Sequence, residues 1–126
     1  MKQRILIVDV SPLLRKTARR AAMQAGAEPE RIREAGNGRE ALAALAAEPA
    51  DIVLLDINMP VMDGFEFLEA NSRAPSPCAA KIALVTTEGN KERLARAEQL
   101  GVVDYLRKPF APEELRALVT KWFEGR

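Results

Sequence analysis

Along the chain, short unbroken apolar runs alternate with longer stretches in which apolar residues recur every three or four positions. Ile5 to Val8, Ile52 to Leu55 and Ile82 to Val85 have the length and β-branched content of central strands buried on both faces. Val102 to Leu106 predicts a fourth strand. Arg31 to Glu34 alternates charged with apolar residues and predicts a short edge strand.

Five helical segments lie between and after these runs. Ser11 is placed to cap the first, with Pro12 at its first position and Leu14, Ala18, Ala21 and Ala25 on one face before Gly26. Asn37 followed by Glu40 resembles a capping box opening an alanine-rich helix, in which Leu42 and Leu45 face the sheet before Pro49 ends it. Phe65 and Leu68 predict a short third helix after Gly64. Asn90 caps a fourth carrying Leu94 and Ala97, with Gly101 just beyond its end. Pro112 begins the fifth, whose Leu115, Leu118, Val119 and Trp122 form the stripe needed to cover a sheet.

Such alternation requires right-handed crossovers and a parallel sheet with helices on both faces. The expected fold is α/β, a flavodoxin-like doubly wound sheet of five strands in the order 2-1-3-4-5 with five helices. Pro75, Ser76 and Pro77 form a loop before the fourth strand, but no long linker or repeat separates a second unit. A single domain over residues 1–126, with no output domain, is the expectation.

Composition narrows the classes. A net charge of +1 over 126 residues offers no electrostatic case for nucleic-acid or membrane binding. Cys78 is the only cysteine, so no intramolecular disulfide forms, and the chain has no histidine, the commonest zinc or copper ligand. The apolar run at Ile5 meets Asp9 after four residues, too soon for a signal-peptide core or a membrane span. A cytoplasmic, reducing location and a monomer are expected. No GxxxxGK[ST] loop is present, and Ser11-Pro12 stands where a glycine-rich phosphate cradle would follow the first strand. This disfavours a flavin- or nucleotide-binding enzyme on the same fold.

In open parallel sheets, ligands bind beyond the carboxyl ends of the strands, where the strand order reverses. Asp9 closes strand one, Asp56 closes strand three, Thr86 closes strand four and Lys108 follows strand five, so four reactive side chains meet on one rim. Singly, an Asp at a strand end commonly caps a turn, a Lys is commonly solvated, and Thr86 and Asn58 are ordinary strand and loop residues. Their joint placement is what carries weight.

Ile-Leu-Ile-Val-Asp9, Leu-Leu-Asp56-Ile-Asn58-Met-Pro60-Val-Met-Asp63-Gly64, Val-Thr86 and Lys108-Pro109-Phe110 resemble the successive signatures of response-regulator receiver domains, over nearly the entire chain. Glu34-Ala-Gly-Asn37-Gly38-Arg-Glu40-Ala-Leu42 resembles a further one. The resemblance implies a phosphoryl acceptor, not an enzyme acting on an external substrate. Asp56 is then the nucleophile, the Asn58 carbonyl a magnesium ligand beside Asp9 and Asp56, Thr86 the hydroxyl for a phosphoryl oxygen and Lys108 its positive partner. It also implies Tyr105 as a switch aromatic coupled to Thr86, and Asn58 and Glu88 as residues governing phosphoryl lifetime. Polar residues at both places are similar to chemotaxis-type single-domain receivers. A carboxylate attacking an anionic phosphoryl group needs such positive groups and a divalent cation to offset developing charge.

One departure matters. Receiver domains carry two successive acidic residues after strand one, and here Asp9 is followed by Val10. The missing carboxylate is the more intimate magnesium ligand in the family, which implies a weaker site. Two expectations follow: a working receiver in which Asp9 takes over direct ligation, or a pseudo-receiver that binds partners without phosphorylation. The resemblance implies a histidine kinase or histidine phosphotransfer protein upstream and an unidentified protein target downstream, met by the fourth helix, fifth strand and fifth helix. Arg93, Arg96 and Arg107 lie there, but such surface charges are ordinary and identify no partner.

Overall fold

A computed structural model of the chain describes residues 3–74 and 79–124. The elements follow in order: β1 (Ile5–Val8), α1 (Pro12–Gln24), β2 (Ile32–Ala35), α2 (Gly38–Ala47), β3 (Ile52–Leu55), α3 (Gly64–Arg73), β4 (Lys81–Thr86), α4 (Lys91–Gln99), β5 (Val102–Arg107) and α5 (Pro112–Glu124). All strands are parallel, in the order β2-β1-β3-β4-β5, as the sequence pattern predicts. The Pro75 to Pro77 loop and Cys78 lie outside the described residues.

Side chains alternate across the strands, so each strand feeds two cores. Ile5, Ile7, Ile52, Leu54, Ala83 and Val85 pack under α1 and α5, against Ala18, Ala22, Leu115 and Val119. Leu6, Val8, Val53, Leu55 and Leu84 face the other way, onto Ala41 of α2, Phe67 and Leu68 of α3 and Ala97 of α4. Leu55, Phe67 and Leu115 are fully buried. Truncating one such leucine to alanine costs about 2–5 kcal/mol, because the neighbours only partly close the cavity.

The helix ends are held as the sequence suggests, with some differences. Ser11 Oγ accepts the Leu14 N–H at 3.2 Å and Asn90 caps α4. Asn37 caps α2, but Glu40 reaches back to the Gly36 N–H at 2.7 Å instead of to Asn37, so the predicted capping box is only half formed. A complete box sits at Asp63 and Glu66, starting α3 at Gly64. The second strand runs Ile32–Ala35, one residue later than predicted. Pro29–Arg31 forms a 3-10 turn, and pairing with β1 begins only at Ile32 opposite Ile5. On α3, Phe67 takes the fully buried place, while Phe65 is only partly covered.

Candidate functional site

The register brings the strand ends level: Val8 lies opposite Leu55, and Leu55 opposite Leu84. Asp9 and Asp56, one residue further on, therefore emerge side by side. Their main-chain N–H groups are anchored to neighbouring strands, Asp9 on Ala35 O at 3.0 Å and Asp56 on Val8 O at 2.9 Å. Both residues are only 6% exposed. Buried carboxylates require partners, and Lys108 supplies one. Its Nζ donates to Asp9 Oδ2 at 2.7 Å and lies 3.6 Å from Asp56 Oδ2. The Lys108 N–H donates to Thr86 O at 2.8 Å, which carries the β5 chain past the end of β4.

One ammonium against two carboxylates leaves one negative charge uncompensated. The four oxygens are not equivalent. Asp9 Oδ1 accepts the Ser11 N–H at 2.9 Å and Asp9 Oδ2 accepts Lys108, whereas Asp56 Oδ1 has, among the described residues, a single long 3.4 Å contact from Asn58 N. Asp56 thus keeps the less engaged oxygen.

The loop after β3 is pressed against the site from α3. Gly64 N donates to Ile57 O at 2.8 Å, and a Cβ on Gly64 would stand 2.6 Å from Asp56 O, so only glycine permits this approach. Gly38 does the same from α2, donating to Met62 O at 2.8 Å with no room for a Cβ. Between these two anchors Val61 adopts φ 68°, strained for a β-branched residue. The Asn58 side chain is exposed and donates to Thr87 Oγ1 at 3.3 Å.

On the other side, Thr86 is fully buried and its Oγ1 accepts a long 3.4 Å contact from the Glu88 N–H. The Tyr105 hydroxyl donates to the Glu88 carbonyl, and its ring packs on the second core. The Glu88 carboxylate pairs with Arg93 at 3.1 Å, and Arg93 lies over the Phe65 ring at 4.8 Å. Arg96 pairs with Glu69 of α3. These two arginines pair with α3 and the β4–α4 loop while staying about half exposed, as ordinary surface charges do.

Val10 is 46% exposed, at the rim of the carboxylate pair. Sequence reasoning did not single out what lies beneath it. Arg15 Nη1 donates to Asp9 O at 2.7 Å, with Val10 O at 3.4 Å, and Arg15 Nε pairs with Glu34 Oε1 at 2.9 Å. Arg19 takes the other oxygen, Glu34 Oε2, at 2.9 Å. Burial pushes the Glu34 carboxyl up, but hydrogen bonds and charge from Arg19 and Arg15 outweigh it and hold the group below its ordinary value. The available signal was Glu34 itself, inside a motif whose function the sequence reading left unassigned.

Among the described residues, no three His, Cys, Asp or Glu side chains cluster as a metal site. The donors that do converge, two carboxylates with one net negative charge, are oxygen ligands of the kind magnesium takes one or two at a time while retaining water. They fit the ion with one carboxylate fewer than the family pattern supplies.

Residues 5–120 match the response regulator receiver domain family, and the chain belongs to that family. As a class it is a receiver module of phosphoryl signalling. More particularly, it is 34% identical over 122 residues to the probable chemotaxis protein CheY of Rhizobium etli, covering 97% of this chain and 93% of that one. The solved structure of chemotaxis response regulator CheY4 of Vibrio cholerae superposes with a TM-score of 0.84 at 33% identity, covering 97% of this chain and 99% of that one. A protein-glutamate methylesterase/protein-glutamine glutaminase of Agrobacterium fabrum is 39% identical over 113 residues, but the match spans only 31% of its length. No helix among the described residues is long and apolar enough to cross a membrane.

Proposed function

We propose that the chain is a stand-alone response regulator that takes a phosphoryl group on Asp56 from a histidine kinase or phosphotransfer protein and passes the signal by a changed docking face. The observation carrying this reading is the convergence of Asp56, Asp9 and Lys108, three ionisable side chains remote in sequence, with the less engaged oxygen on Asp56. The near end-to-end likeness to a probable chemotaxis protein CheY and to the chemotaxis response regulator CheY4 supports this reading, and chemotaxis is the setting it suggests.

In the transfer, an Asp56 carboxylate oxygen attacks the phosphorus of the donor. A P–O bond forms and the bond to the leaving group breaks, its electron pair departing with the donor nitrogen. Lys108 neutralises charge on the incoming phosphoryl group, and the Thr86 hydroxyl turns from Glu88 N to one of its oxygens. Asp9, Asp56 and the Asn58 carbonyl would hold magnesium, which supplies further charge neutralisation when bound. Water attack on phosphorus later releases phosphate and restores Asp56, with Asn58 and Glu88 bordering the path of that water.

Movement of Thr86 disturbs the Glu88 segment to which the Tyr105 hydroxyl is tied. Tyr105 also lines a groove of about 610 Å³ between α4 and β5, with Leu84, Leu94, Glu98 and Val103. Phosphorylation thereby shifts the population of conformers on the face offered to the target.

A second reading, a pseudo-receiver that docks without phosphorylation, is favoured by Val10 alone. The two are separated by incubating the chain with acetyl phosphate, with and without magnesium, and weighing it intact beside Asp56→Asn. A magnesium-dependent gain of one phosphoryl group, lost in the variant, is expected. No gain at any magnesium concentration supports the pseudo-receiver.

A further inference from the structure

We propose that Arg15, clamped by Glu34, is a positioning residue for Asp9 and so for the cation at this site, a role that rests on the phosphoryl-acceptor reading above. Asp9 is held on two sides, from β2 and from α1. Its N–H donates to Ala35 O at 3.0 Å, and its carbonyl accepts Arg15 Nη1 at 2.7 Å. Arg15 in turn is oriented by Glu34, one residue before Ala35 in the same strand.

The clamp is built, not incidental. Arg15 and Glu34 side chains are 21% and 30% exposed, and the two Glu34 oxygens are divided between Arg15 and Arg19. Arg19 is itself fixed to Ile32 O at 3.0 Å. Asp9 is therefore gripped at its N–H from β2 and at its carbonyl from α1, which fixes the main-chain position from which its carboxylate leaves the strand. With Val10 in place of a second carboxylate, aiming the remaining one matters more. Losing a residue that orients a metal ligand typically lowers metal affinity by about 10–100-fold.

Positioning and simple electrostatics predict opposite signs. A guanidinium beside a cation site repels the cation, so deleting Arg15 tightens binding if charge alone matters. If Arg15 positions Asp9, deleting it weakens binding. Removing the Glu34 charge weakens binding on either account, since it frees both guanidiniums.

Manganese serves as the probe, titrated by water-proton relaxation and competed with magnesium, on the full chain, Arg15→Met, Arg15→Lys and Asp9→Asn. Expected are manganese binding lost or strongly weakened in Asp9→Asn, a roughly tenfold weaker dissociation constant in Arg15→Met, and an intermediate value in Arg15→Lys, which reaches the carbonyl without the fork. Circular dichroism and thermal melts show whether each variant folds. Unchanged or tighter binding in a folded Arg15→Met or, should that variant not fold, in Arg15→Lys overturns the proposal, as does a native chain that binds no manganese. Native binding with this pattern but no acetyl phosphate transfer overturns the acceptor reading and leaves the positioning role standing.

Discussion

On the β4 and β5 side of Asp56, Thr86, Glu88, Tyr105 and Lys108 form one connected set. On the β1 and β2 side Val10 stands at the rim, and the polar contacts pass beneath it, through Arg15 to Glu34. The first side holds the hydroxyl and ammonium that suit a phosphoryl oxygen. The second holds the negative charge that attracts a cation, and it is the side that has been reduced. On the proposed reading, phosphoryl handling leans on the first side and cation affinity on the second, with Asp56 and Lys108 shared between them, and substitutions can separate the two.

The largest effect is expected at Lys108, which belongs to both sides. Lys108→Met leaves two adjacent buried carboxylates without their cation, and should cost about 3 kcal/mol in urea unfolding without magnesium. Saturating magnesium should recover part of that loss, because it binds the folded state. Equal loss with and without magnesium would show that the carboxylates do not share a cation site.

Val10→Asp should do the reverse on the reduced side. One more unit charge a few Å from a divalent cation is worth more than about 1 kcal/mol even at water's dielectric constant. Magnesium affinity should rise at least about tenfold by relaxation titration, while the metal-free protein loses stability. An unchanged affinity would mean that position 10 does not face the cation.

Tyr105→Phe sharpens the comparison from the intact side. It removes the hydroxyl bond to the Glu88 carbonyl and should cost about 1 kcal/mol in stability, leaving magnesium affinity unaltered. A change in magnesium affinity would show that the Tyr105–Glu88 contact is coupled to the carboxylate pair, which it does not touch directly.

The smallest effect is one of pH. The Glu34 carboxyl is held below its ordinary value of 4.5, so its contribution to stability is fully present above that value and is lost as pH falls through the lower folded value. Glu34→Gln should flatten stability against pH in that acid range and leave the profile near neutrality parallel to the native one. An unaltered acid limb would mean that the carboxylate gains nothing from its two arginines.

The fold was legible because β1, β3 and β4 are buried on both faces and so appear as unbroken apolar runs. The edge strand was less so: its alternation is real, but Pro29 spends Arg31 on a 3-10 turn, and only pairing with β1 sets where the strand begins. The Asp63 and Glu66 box has its signature in the sequence, but Asp63-Gly64 also belongs to the motif after β3, which masks it as a helix start. Asp9, Asp56, Thr86 and Lys108 were found because each ends or follows a strand. The Arg15–Glu34 clamp was not, since it joins residues 19 apart whose meeting depends on how α1 lies across β2.

The most direct test of the central claim is the intact mass of the chain after acetyl phosphate with magnesium, compared with Asp56→Asn. The account predicts one added phosphoryl group on the native chain, at a magnesium requirement that falls in Val10→Asp, and none on Asp56→Asn. An equal gain on Asp56→Asn, or no gain on the native chain at any magnesium concentration, would contradict it.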